Sequence, residues 1–102
     1  MTLSNVDREL LEQCFSGSEL AWRMFCDRYL GLVVQVVAHT TQSLGGPQDG
    51  SRRDALVVET FGALLEKDFA VLRRFRGESS LGTYVAVVAR RYLVKRLQQR
   101  AA

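Results

Sequence analysis

The residues best equipped for chemistry lie between Phe75 and Arg100, in FRGESSLGTYVAVVARRYLVKRLQQR. The run opens on Arg76-Gly77-Glu78-Ser79-Ser80, which brings a guanidinium, a carboxylate, two hydroxyls and backbone N–H donors to one bend. Gly77 permits backbone angles that other residues avoid, and the serines can cap a following helix. From Leu81 to Gln99 there is no proline, and apolar residues recur at Leu81, Tyr84, Val85, Val88, Tyr92 and Leu97. That spacing predicts a helix with one apolar face, its other faces carrying Arg90, Arg91, Lys95, Arg96 and Arg100. A polar bend feeding a cationic helix suits nucleic acid. The cations hold phosphates, and the bend and aromatics receive unstacked bases.

Other chemistries lack their parts. Cys14 and Cys26 form no CxxC pair and the one histidine, His39, is distant from both, so no metal site is expected. Both cysteines fall on apolar helical faces and read as small buried hydrophobes. His39, near the end of a long helix, reads as a partner for the helix dipole or as a surface residue. There is no Gly-rich phosphate loop before a Lys-Ser/Thr pair and no Ser/His/Asp set. The chain is therefore expected to be neither an enzyme nor a cofactor-binding protein.

The charge is unevenly spread. The net value is +3, yet residues 1–68 hold 6 Lys/Arg against 10 Asp/Glu, while residues 69–102 hold 8 Lys/Arg against Glu78 alone. The last third is thus expected to form a cationic surface. With 47% hydrophobic and 25% charged residues, 102 residues make one globular domain with a single core. No apolar run approaches the ~18 residues of a membrane span. The N-terminus lacks a basic segment followed by an apolar core, so a cytoplasmic protein without membrane partners is expected.

The elements that must position this segment read as helices. Ser4 or Asn5 can cap a first one, with Val6, Leu10, Cys14 and Phe15 as its apolar stripe and Ser16-Gly17 as its end. Ser18 can cap a second, from about Glu19 to Thr41, whose core face is Trp22, Phe25, Cys26, Tyr29, Val33, Val36 and Val37. Residues 42–51 read as a loop. A third helix is expected from about Arg53 to Lys67, burying Leu56, Val57, Phe61, Leu64 and Leu65. Asp68 to Arg74 reads as a short extra turn with Phe69 and Leu72 inward and Arg73 and Arg74 outward. The fold class is all-α, a compact bundle of about four helices.

FRGESSLGTY followed by VARRYLVKRLQQR resembles the promoter-reading part of bacterial RNA polymerase sigma factors of the extracytoplasmic-function group. The resemblance runs from about Leu10 onward and matches only the region-two domain. It implies a helical bundle that binds core RNA polymerase and holds a flipped base of the non-template strand of the minus-ten element. Glu78, Ser79 and Ser80 would line the pocket, with Thr83 and the ring of Tyr84 beside the base. Arg74, Arg76, Arg90, Arg91, Lys95 and Arg96 would meet the DNA.

The third helix would dock on polymerase through Asp54, Ala55, Val58 and Glu59. Glu59, Thr60 and Phe61 match the family pattern, whereas Ala55 and Val58 stand where Asp and Gln are usual. That departure leaves a second reading, a sigma-like module that binds an anti-sigma factor without engaging polymerase. A third is single-strand binding without sequence preference. The helix-turn-helix domain that completes such factors is not expected within these 102 residues. On the residues alone, Tyr84 also suits a core position, and Glu78 suits a cap or a pair with Arg76.

Overall fold

In the computed structural model, which describes residues 5–46 and 48–101, four helices follow one another: α1 (Asn5–Phe15), α2 (Glu19–Leu44), α3 (Gly50–Arg73) and α4 (Leu81–Ala101). The fold is an all-α bundle with α2 at its centre. This helix packs on α1, α3 and α4, most extensively on α4. Among the described residues no helix is long and apolar enough to cross a membrane.

Local chemistry sets the helix ends. Ser18 is extended and its hydroxyl accepts from the Ala21 N–H at 3.1 Å, which caps α2. At the other end Gly45 takes a left-handed turn (φ 73°) and its N–H reaches back to the Thr41 carbonyl. This stop falls three residues beyond the expected one, because Gln42, Ser43 and Leu44 tolerate helix until a glycine ends it. Asp49 caps α3 by accepting from Ser51 N–H. Pro47, part of the expected loop, and Ser4, one of the expected first caps, lie outside the described residues.

The core is built from single faces of the four helices. Phe25, Val33, Val37, Leu64, Leu72, Leu81, Val85 and Leu93 are sealed from solvent. At one end Trp22 stacks on Phe25 at 5.3 Å and meets the edges of Phe69 and Phe61, and Phe15 leans on Phe69 at 5.7 Å. Trp22 is thus a packing residue, as its continuity with the valines implies. Two expected core positions are not core. Val6 is 62% exposed and Leu65 43% exposed. Each lies a step outside its helix's buried stripe, which Leu11 joins on α1 and Thr60 on α3.

One feature of α3 controls the site. Its helix breaks at Glu66, and Lys67, Asp68 and Phe69 all take left-handed angles (φ 55°, 57° and 60°) before the last turn resumes. Side chains beyond glycine resist this conformation, at a cost of about 1–2 kcal/mol per residue. The kink turns Phe69 and Leu72 into the core, where both are buried. Arg73 brackets the turn: its guanidinium donates to the Asp68 carbonyl at 2.6 Å and to the Phe15 carbonyl at 3.3 Å, pairs with the Asp68 carboxylate, and covers the Phe15 ring. The short turn expected at 68–74 exists, and its inward and outward residues are as expected.

Candidate nucleic-acid interface

The bend and the start of α4 rest directly on that kinked turn. Tyr84 donates its hydroxyl proton to the Val71 carbonyl at 2.7 Å, and its half-buried ring packs on Phe75 at 4.9 Å. It thereby clamps the first turn of α4 to the last turn of α3. Gly77 occupies the left-handed region (φ 76°), which lets the chain reverse between them.

The hydroxyls of the bend are engaged locally. Ser80 caps α4: its Oγ accepts from the Thr83 N–H at 3.1 Å and donates to the Thr83 Oγ1 at 2.8 Å. Ser79 donates to the Ser80 carbonyl at 3.2 Å. The groups left for a ligand are the exposed side chains of Arg74, Arg76 and Glu78, none of which forms an ion pair among the described residues. Glu78 therefore does not pair with Arg76, and the cap is supplied by Ser80. Thr83 is exposed, with its hydroxyl already accepting from Ser80.

Beyond the first turn, α4 sorts its residues strictly. Leu81, Val85, Ala89, Leu93 and Leu97, each four residues from the next, are buried, and Tyr84, Val88 and Tyr92 flank them half-buried. The opposite face carries exposed Arg90, Arg91 and Lys95, which line one shallow groove with Val87, Val94 and Gln98. Three cations thus share a surface, with valine side chains between them.

Arg96 does not belong to that surface. It continues the row Tyr84–Val88–Tyr92, four residues on, and its Nε donates to Glu59 Oε1 of α3 at 3.2 Å. Two residues expected to bind different partners, DNA and polymerase, bind each other. Tyr92 sits beside them. Its hydroxyl pKa is raised, first by burial and then by the Glu59 charge. The side chain of Arg100 lies outside the described residues.

The expected polymerase-facing residues are accessible apart from Glu59. Asp54 and Ala55 are exposed, and Val58 is 71% exposed. Ala55 and Val58 continue with Gly62 and Leu65 as an exposed seam of small and apolar residues along the outside of α3, with Asp54 at its start. Cys14 is buried and Cys26 half-buried, and burial raises both pKa values, that of Cys26 to about 11. Among the described residues no cluster of His, Cys, Asp or Glu could hold a metal.

The reading of residues alone missed Val87, Val94 and Gln98 as groove residues. Their signal was available, since all three lie three or four positions from a cation of the outer face. It also missed Arg73 as the bracket of the kink, for which the sequence carries no local sign. The comparisons with known proteins add nothing to this geometry: no family model, no curated protein and no solved structure matches the chain.

Proposed function

We propose that this domain reads the minus-ten element of a bacterial promoter as part of an initiating RNA polymerase, in the cytoplasm, without catalytic activity of its own. The carrying observation is the common exposed face of Arg90, Arg91 and Lys95 on α4, preceded by the exposed Arg74, Arg76 and Glu78 of the bend. The later face follows phosphates. The bend receives an extruded base through Glu78 and Arg76, with Ser79 and Ser80 holding its shape. Stabilising an unstacked base must offset an unstacking cost of a few kcal/mol, which favours a preformed bend over one ordered on binding.

The test is fluorescence anisotropy of short single-stranded oligonucleotides of varied sequence against the wild type and Glu78→Gln. One sequence should bind tighter than the rest, and Glu78→Gln should flatten that preference while leaving the salt dependence unchanged. Equal affinity across the set would end the promoter reading and leave only charge-driven binding.

A second reading is favoured by a specific observation, the exposure of Val58 and Ala55 on α3. Under it the seam docks an anti-sigma factor and polymerase is not engaged. A pull-down with core polymerase separates the two. Capture by the wild type supports the first reading. Capture only by Ala55→Asp combined with Val58→Gln supports the second.

A further inference from the structure

A groove of about 610 Å³ lies between α1 and α2. Val6, Leu10 and Met24 give it apolar walls, and Val6 and Met24 are more than half exposed. Glu9 and Asp27 stand on its rim, and neither forms an ion pair among the described residues. The cation at the rim, Arg28, is held by Asp7 at 2.9 Å, so its charge is already balanced. The groove therefore presents apolar surface under uncompensated negative charge. An occupant of matching chemistry is an amphipathic helix with cations beside small apolar side chains.

This chain has such a helix on its surface. The outer face of α4 alternates Val87 and Val94 with Arg90, Arg91 and Lys95. Val87 to Val94 spans two helical turns, ~10 Å, as does Val6 to Gln13 along α1. The inner row of α4 is buried in its own bundle, so its outer face cannot turn into the groove of the same molecule. We propose that the α1–α2 groove receives the cationic outer face of α4 from a second copy of this chain. The contact is heterologous, one copy's groove against the other's helix. It stands on the complementarity of two surfaces and not on any function of α4. Where α4 also binds nucleic acid, association and binding exclude each other.

Sedimentation velocity without nucleic acid tests it. At low salt the average mass should rise above the 11.5 kDa of one chain as concentration increases from micromolar towards millimolar. It should fall back at high salt, because exposed charges are screened beyond about 8 Å at physiological ionic strength and nearer still above it. Glu9→Lys with Asp27→Lys, and Arg91→Glu with Lys95→Glu, should each remain monomeric. All four positions are exposed, and circular dichroism confirms that each variant is folded. The decisive sample is the mixture: the two variants carry mutually complementary surfaces and should associate as the wild type does. A wild type that stays at one-chain mass throughout overturns the proposal. So does association that survives either variant, which would assign the contact to another surface such as the α3 seam, and so does a mixture that stays monomeric.

Discussion

The first turn of α4 and its later outer face use their polar residues in opposite ways. At the start, Ser79, Ser80, Thr83 and Tyr84 all have internal partners. Six to eleven residues beyond Tyr84, Arg90, Arg91 and Lys95 form no ion pair among the described residues. The hydroxyl groups fix a shape, and the cations wait on a surface. The difference teaches that a polar residue near a candidate site is not thereby a ligand contact. Substitutions in the first turn should move stability, and substitutions on the outer face should move binding.

Tyr84→Ala should show the largest effect. It removes a half-buried ring packed on Phe75 and the bond to the Val71 carbonyl, and should cost about 2–3 kcal/mol in urea denaturation, below the range for fully buried aromatics. Tyr84→Phe keeps the ring and should cost about 1 kcal/mol. If Tyr84→Phe leaves stability untouched but weakens oligonucleotide binding, the hydroxyl serves a base and not the clamp. Ser80→Ala comes next, at about 1 kcal/mol for a lost N-cap.

The kink beneath this turn gives a prediction of opposite sign. Lys67→Gly should stabilise the protein by about 1 kcal/mol, because glycine relieves the left-handed strain at φ 55°. In an unbroken helix the same change would destabilise by a similar amount, about 1 kcal/mol relative to alanine. The sign alone, read from the urea midpoint, decides whether α3 bends there in solution.

Much of the scaffold was legible in the residues, and the reasons are local. Ser18 and the Ser16-Gly17 break place the start of α2, and the four-residue steps of Phe25, Tyr29, Val33 and Val37 describe its buried face. The kink was half legible. Phe69 and Leu72 require an inward turn, but Glu-Lys-Asp-Phe contains no glycine or asparagine, and Asp68 alone is of a type that tolerates left-handed angles. Past the break, Phe69 packs on Trp22 and Phe15, tertiary contacts that no local residue pattern records. On α4 the aromatics misled. Reading the face through Tyr84 and Tyr92 turns it by about half a residue row from the true centre at Ala89 and Leu93. Alanine is a weak marker of burial, and tyrosine marks the margin of a core as readily as its middle. Arg96 continues the row through Tyr84 and Tyr92, so it was its charge and not its position that grouped it with the outer cations.

Arg96 supplies the finest test of the contrast. A half-exposed ion pair contributes at most about 1 kcal/mol, so Arg96→Ala should lower stability slightly. Glu59→Ala should do the same, and the double variant should cost less than the sum of the two, because the second change has no partner left to remove. Arg91→Ala and Lys95→Ala should each leave stability within about 0.5 kcal/mol. Oligonucleotide affinity should sort these positions the other way. Each outer cation that meets a phosphate contributes about 0.7 to the slope of log affinity against log salt for a single strand, and that slope should shrink for Arg91→Ala and Lys95→Ala. It should hold for Arg96→Ala, whose charge is already offset by Glu59. Equal slopes for all three variants would mean that the ion pair opens on binding, and that α4 presents one continuous cationic arm after all.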